Sequence, residues 1–329
     1  MADVAAVVVN YNGLPYVLEA LESLRAQSAP PAEIVVVDNG SSDGSLDALR
    51  ALDFVKVIDA GANLGFAEGC NVGMRNTSAP YVAFLNPDAT AGREWLASLS
   101  RVLDAQPDVA VAIGKIYFKE RMPHLDQAGG QFNNLGNYWG RGFTESDAGQ
   151  FDREEEVAGV TACAMLLRRD ATGGEPPFDP SIFMYGEELD LTLRLRVRGH
   201  RIVYTPGAIA FHRGMHSVRK TREQPRLFQQ FHSNRNRIKL LLKYYPWSLL
   251  LRGAPLIAAS YLYWDAVFLF SGGPRFFARA VAAQLRGALD GLRQRDRRVV
   301  REARRWLPWL TRHSLRGVLA QKRTMQSVD

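Results

Sequence analysis

The sequence predicts an α/β fold: a mostly parallel sheet flanked by helices, with a helical region added at the C-terminal end. Short apolar runs alternate with helical patterns from residue 4 onward, and the early runs end on polar, turn-rich loops. Beyond residue 245 the composition turns aromatic and then strongly basic.

The apolar run over residues 4–9 reads as a strand ending at Asn10-Tyr11-Asn12-Gly13. Leu14, Val17, Leu18, Leu21 and Leu24 then recur at helical spacing. Residues 34–37 repeat the arrangement and end on Asp38, after which Asn39-Gly40-Ser41-Ser42-Asp43-Gly44 forms a turn before a helix near Ser45. Two further short strands are expected at 55–58 and 81–85. From about residue 110 the pattern becomes irregular, punctuated by Gly129, Gly130, Gly136, Gly140 and Gly142, until an apolar run at 157–167. Stretches of this kind carry substrate surfaces. Residues 183–198 read as a loop entering a helix, and 201–204 and 208–212 as two extended pieces.

Residues 247–270 are apolar and aromatic but interrupted by Arg252, Pro255 and Asp265. The longest uncharged run, 253–264, is shorter than the roughly 20 residues that cross a bilayer. The region is expected to be interfacial or re-entrant, or a buried helical hairpin.

With 329 residues and 47% hydrophobic side chains the chain can bury a large core, which excludes global disorder. Its two cysteines, Cys70 and Cys163, have neither the number nor the spacing of a disulfide framework or a zinc site. The first residues lack a signal-peptide pattern, so a reducing cytoplasm is the expected compartment. The net charge of +7 is unevenly spread: residues 275–329 carry 14 Lys/Arg against 4 Asp/Glu, and residues 1–274 carry 27 against 30. The basicity belongs to the tail. Residues 293–305 are dense in arginine, yet Trp306, Leu307, Trp309 and Leu310 beside them fit an anionic membrane interface better than nucleic acid.

Asp38 ends a strand of a parallel sheet, where ligands of such folds bind; capping its own turn is an equally good reading. The absence of G-x-G-x-x-G after the first strand argues against a dinucleotide enzyme. In residues 63–73 spaced glycines open a helix, for close approach either to a ligand or to the sheet. Asn86 and Asp88 flank Pro87 at the end of a strand, two apart and on one side of extended chain. A carboxylate there suits a hard divalent cation carrying a diphosphate, and an unliganded Asn-Pro-Asp turn is the alternative. Glu187, Glu188 and Asp190 begin a helix, placed either for the helix dipole or to supply a general base. His212, ending a later strand, is a structural histidine or a metal ligand.

The order of these motifs resembles the inverting glycosyltransferases of family two, in the rhamnosyltransferase-like branch. The resemblance covers about residues 4–245. It rests on Val-Val-Asn-Tyr-Asn at 8–12, Val-Asp-Asn at 37–39 with Ser41-Ser42-Asp43-Gly44, Asn63-x-Gly65-Phe66-Ala67, Asn86-Pro87-Asp88, Phe178-Asp179, and the run 183–191 around Glu187-Glu188-Leu189-Asp190. It implies a GT-A fold over residues 1–245, with a nucleotide-binding half over about 1–110 and an acceptor and catalytic half over 111–245. Residues 246–329 would then serve membrane association or oligomerisation.

By the same resemblance Asn10, Tyr11 and Asp38 bind base and ribose, and Asn63, Gly65 and Phe66 line the nucleotide pocket. Asp88 matches the last residue of the family's Asp-x-Asp metal motif. Asn86 replaces the first, which leaves it for the ribose or a coordinated water. Glu188 is the expected base, with Asp190 as the alternative. His212 stands where a third ligand to Mg²⁺ or Mn²⁺ is found, with His216 as the fallback.

The implied activity is inverting transfer of a sugar, L-rhamnose from dTDP-rhamnose, to a saccharide or lipid-linked saccharide in cell-surface polysaccharide synthesis. The protein is then a peripheral one on the inner face of the cell membrane, without nucleic acid as a partner and with a homodimer as an option. A UDP-hexose or galactofuranose donor, or a catalytically silent nucleotide- or glycan-binding module, are the competing readings.

Overall fold

A computed structural model describes residues 3–214 and 224–311; His216 and the basic tail beyond residue 311 lie outside the described residues. The first half runs β1 (Val4–Asn10), α1 (Tyr16–Arg25), β2 (Glu33–Asp38), α2 (Ser45–Arg50), β3 (Lys56–Asp59), α3 (Phe66–Arg75), β4 (Tyr81–Leu85), β5 (Ala89–Ala91) and α4 (Trp95–Ala105). The second runs β6 (Val109–Phe118), β7 (Leu125–Gln127), β8 (Gly130–Asn133), β9 (Tyr138–Gly140), β10 (Glu155–Glu156), β11 (Ala164–Arg168), α5 (Glu187–Val197), β12 (Arg201–His212), α6 (Pro225–Tyr244), α7 (Trp247–Arg293), α8 (Arg297–Arg301) and β13 (Leu310–Thr311).

The main sheet has the order β10-β12-β6-β11-β4-β1-β2-β3. Strands β4, β1, β2 and β3 are parallel neighbours, whereas β11 runs antiparallel to both β4 and β6, so the sheet is mixed rather than mostly parallel. From β1 the chain steps outward to β2 and β3, then returns to β4 on β1's other side. That reversal opens a crevice at the carboxyl ends of β1 and β4.

The alternation of side chains along β1 builds both faces of the core. Val4, Ala6 and Val8 pack with Leu21, Leu24, Trp95 and Leu99 of α1 and α4. Val7 and Val9 pack on the opposite face, toward α3 and α5. A Cβ added to Gly69 or Gly73 would come within 2.6 or 2.3 Å of Val9 or Val7 Cγ1. These two glycines of α3 therefore serve close helix–sheet packing, not a ligand.

Three departures from the sequence reading have physical causes. The stretch expected to be irregular from residue 110 contains β6, whose apolar run is broken by Gly114 and Lys115. Lys115 is buried because Asp147 and Asp152 pair with it at 2.8 and 2.6 Å. The pieces at 201–204 and 208–212 are one strand, β12, with an irregularity between Tyr204 and Ile209. The apolar run at 157–167 is strand only from Ala164; its earlier part is irregular and mostly buried, and its last two residues, Ala162 and Cys163, border the crevice.

The C-terminal region is helical and returns to the main body. α7 breaks at Gly273 (φ 80°), where Pro274 follows, and forms two arms lying along α6. Gly287 and Gly291 let the second arm approach closely, since a Cβ on either would meet Arg235 or Lys239 carbonyl oxygen at 2.4 Å. Leu250, Val299, Ala303 and Trp306 share a core cluster with Leu189 and Leu193 of α5. The hairpin is not buried: Leu251, Leu262 and Phe270 are 73%, 71% and 86% exposed. By length and composition α7 could cross a membrane.

Candidate active site

The crevice is lined by Tyr11, Asn63, Gly65, Phe66, Asn86, Asp88, Glu188 and His212, eight of the residues singled out from sequence, and also by Asn39, Cys163, Phe183, Tyr185, Glu187 and Phe228. Its floor is set by Gly65, in the left-handed region (φ 84°) with no room for a Cβ, which would meet Phe183 carbonyl oxygen at 2.4 Å. Asn63 Oδ1 accepts the Gly65 amide at 3.0 Å and holds this turn.

Asn10 and Asp38 stand one layer behind. Both are fully buried on neighbouring strands, and Asn10 Nδ2 donates to Asp38 Oδ2 at 2.8 Å and to Ser41 Oγ at 3.1 Å. Ser41 returns its amide and hydroxyl to Asp38 at 2.9 and 2.7 Å. The pair fixes the two neighbouring loops that carry Tyr11 and Asn39 into the crevice.

Asp88 follows β4 at the β5 turn, and its Oδ1 is 3.2 Å from His212 Nε2. His212 Nδ1 is 2.7 Å from Asp126 Oδ2. Burial alone would lower the proton affinity of this imidazole. It is instead held well above the usual histidine value, by its neighbours Cys163, Asp88 and Asp126. Burial raises the Cys163 thiol, which is then neutral at ordinary pH and leaves the two carboxylates as the charges that hold the proton.

Across the crevice Glu187 and Glu188 open α5 after a strained turn, Tyr185 (φ 64°) and Gly186 (φ 115°). Asn236 of α6 clamps that turn, its Nδ2 donating to the carbonyls of Met184 and Tyr185 at 2.9 and 2.8 Å. Burial raises both glutamates well above the ordinary carboxylate range, helped at Glu187 by the charge of Glu188 and at Glu188 by that of Asp126, so the pair retains a proton toward neutrality. Glu188 is the less buried of the two and is anchored at Oε1 by the Ala162 amide, 2.9 Å away.

Asp190 lies elsewhere. It is fully buried, with Oδ2 taken by Arg194 at 2.8 Å and Oδ1 by Lys243 at 2.9 Å and the Tyr244 hydroxyl. This ion-paired network ties α5 to α6 and does not reach the crevice. The Asp190 alternative for a catalytic base is corrected on that ground: neither oxygen is placed to meet a ligand there.

The donor set fits a divalent cation and a polar ligand. A carboxylate oxygen and an imidazole nitrogen 3.2 Å apart suit neighbouring ligands of one ion bound at roughly 2.1 Å. Asp126 is placed to orient the imidazole from behind, as carboxylates do for metal-binding histidines. Among the described residues, Asn39 Oδ1, Asn86 Oδ1 and Glu187 Oε2 are buried without a hydrogen-bond partner, which is uncommon unless a bound group supplies one. Sequence reasoning left out Asn39, Asp126 and Cys163 as site residues. Asn39 was legible beside Asp38; Asp126 sits on a three-residue strand in the glycine-rich stretch, and Cys163 reads as core.

Residues 5–173 match the family model described as glycosyl transferase family 2. An N-acetylglucosaminyl-diphospho-decaprenol L-rhamnosyltransferase of Mycobacterium tuberculosis is 31% identical over 246 residues, which cover 66% of this chain and 78% of that protein. A low-salt glycan biosynthesis hexosyltransferase of Haloferax volcanii, Agl10, is 25% identical over 201 residues, covering 59% and 62%. Among solved structures, GalNAc-T7 with UDP, GalNAc and Mn²⁺ superposes with a TM-score of 0.57 at 14% identity, over 74% of this chain and 49% of that one. The shared fold is GT-A, a sheet flanked by helices, here extended by a C-terminal helical region. A family match over about half of the sequence, joined to a relative of 31% identity along most of its own length, places this chain in glycosyl transferase family 2.

Proposed function

We propose that the crevice binds a nucleoside diphosphate sugar, dTDP-L-rhamnose, and that the chain transfers the sugar with inversion to a lipid-linked saccharide at an anionic membrane surface. The observation that carries this reading is the convergence of Glu188, a carboxylate of raised proton affinity, with the Asp88 and His212 pair in one crevice. The rhamnosyltransferase name of the Mycobacterium tuberculosis relative favours the sugar and a polyprenyl-diphosphate acceptor.

In this account Tyr11, Asn39, Asn63 and Phe66 surround the nucleoside, and Asp38 and Asn10 hold the loops of Tyr11 and Asn39. Asp88 and His212 would hold Mg²⁺ or Mn²⁺, which when bound neutralises the leaving diphosphate as a Lewis acid. Glu188 accepts the proton of an acceptor hydroxyl. As that oxygen bonds to the anomeric carbon, the bond from the same carbon to the diphosphate breaks, and nucleoside diphosphate departs. Attack from the opposite face inverts the centre. Phe183 and Phe228 line the same crevice with apolar surface and limit water.

The exposed apolar face of α7 supports peripheral attachment at the inner face of the cell membrane. Asp265, which would oppose insertion, is engaged between the arms by Gln284 at 2.9 Å, and exposed Arg275, Arg279 and Arg286 suit anionic headgroups. The test is a transfer assay with dTDP-rhamnose, UDP-glucose and UDP-galactofuranose, a polyprenyl-diphosphate-linked amino sugar and Mn²⁺. Rhamnosyl product is expected from dTDP-rhamnose. Product from a UDP-sugar alone would move the donor assignment, and none from any donor would leave a binding module.

A further inference from the structure

Strand β6 gathers three segments around His212. It pairs with β7, which carries Asp126; with β12, which ends at His212; and with β11, which Cys163 immediately precedes. One ligand atom from each of Asp126, Cys163 and His212 lies within 4.8 Å of the other two. Asp126 and Cys163 are buried. The cysteines have no zinc-site spacing in sequence, because the fold draws these three ligands from distant segments.

We infer that Asp126, Cys163 and His212 form a binding site for a thiophilic divalent ion, zinc above all, and that zinc there withdraws His212 from the cation site it shares with Asp88. Sulfur, nitrogen and oxygen donors together favour Zn²⁺ over Mg²⁺ and Mn²⁺, whose preferred ligands are oxygens. Ligands of a tetrahedral ion with bonds of 2.0–2.3 Å stand roughly 3.3–3.8 Å apart, so side-chain adjustment within the present cluster suffices. On binding, the Cys163 thiol gives its proton to solvent and the sulfur bonds to the ion. The thiolate and the Asp126 carboxylate then balance the two positive charges, which removes the main cost of burying them. Neutral imidazole has a single lone pair, so His212 serves one ion at a time. Zinc is therefore an inhibitor of the cation-assisted reaction. Binding stands on the cluster alone, and the inhibitory consequence rests on the proposed function.

The test uses the purified full-length chain and the metals themselves. Competition with a chromophoric chelator should show one tightly held zinc per chain, with affinity falling at least about tenfold in Cys163→Ser and in Asp126→Asn. Co²⁺ added to the unaltered protein should give a thiolate-to-cobalt charge-transfer band that Cys163→Ser lacks, a readout that needs no variant to fold. Unchanged zinc affinity in Cys163→Ser, or a cobalt spectrum without the thiolate band, overturns the site. Zinc should also depress manganese-supported turnover of the unaltered chain. If the thiolate band is present and turnover is unaffected by zinc, the sharing of His212 is wrong. A thiolate band in a chain inactive with every nucleotide sugar would retain the zinc site and remove the transferase reading.

Discussion

His212 Nε2 stands 3.2 Å from Asp88 Oδ1 because β12 pairs antiparallel with β5, setting His212 opposite Ala89. Two residues far apart in sequence thus become a pair by strand register. Asp88→Ala and His212→Ala should each lower turnover by roughly two to three orders of magnitude, the scale of losing one group that stabilises developing charge. Chelation of divalent ions by EDTA should give a similar loss in the unaltered chain. Full turnover in EDTA would remove the cation from the account.

Glu188 and Asp190 are separated by what each is bound to. Glu188→Gln should reduce kcat by about two to four orders of magnitude and leave nucleotide binding in place, because the amide cannot accept the acceptor's proton. Asp190→Asn should act on stability: it breaks the buried pairing with Arg194 and Lys243, at a cost of about 3–5 kcal/mol read from denaturant unfolding. A stable Asp190→Asn with lost kcat, beside an active Glu188→Gln, would reverse the assignment.

The raised proton affinity of the glutamate pair sets a pH dependence of stability. Burial, then the charge of Asp126, lifts Glu188 from 4.5 to about 7, against the stabilising Ala162 amide. Between those values the folded protein keeps a proton that the unfolded chain has lost. This stabilisation is complete below pH 4.5 and is lost as pH rises through about 7. Relative to the unaltered chain, Glu188→Gln should show a flatter fall in unfolding free energy across that window. Parallel profiles would contradict the buried, protonated pair.

The sequence made much of this legible, for identifiable reasons. Strands β1, β2 and β4 are uninterrupted apolar runs, and the site residues that end them, Tyr11, Asn86 and Asp88, follow from position alone. Strand β6 was hidden because Lys115 is neutralised by Asp147 and Asp152, residues that sequence spacing cannot bring to it. Glu188 and Asp190 looked equivalent in the same acidic turn, and what distinguishes them is Lys243 and Tyr244 on α6. Asp126 and Cys163 meet His212 through strand pairing, for which no local pattern exists.

Membrane attachment is best tested without truncation, since Val299, Ala303 and Trp306 help to bury α5. Leu262→Glu with Phe270→Glu changes two highly exposed side chains and should leave unfolding unaltered. The unaltered chain should float with anionic liposomes and be partly released by salt, and the double variant should stay at the bottom. A chain that stays down as a stable dimer would instead assign this face to self-association.

The central claim, a cation-assisted nucleotide-sugar crevice at the ends of β1 and β4, is tested most directly by thermal unfolding of the full chain with dTDP, UDP or GDP, with and without Mn²⁺. A ligand that binds the folded state alone at 100 times its dissociation constant adds about 2.7 kcal/mol, enough to move the midpoint measurably. The account predicts that dTDP raises the midpoint most, that the rise requires Mn²⁺ or Mg²⁺, and that Asp88→Ala abolishes it. No rise with any nucleotide in the presence of either ion would contradict it.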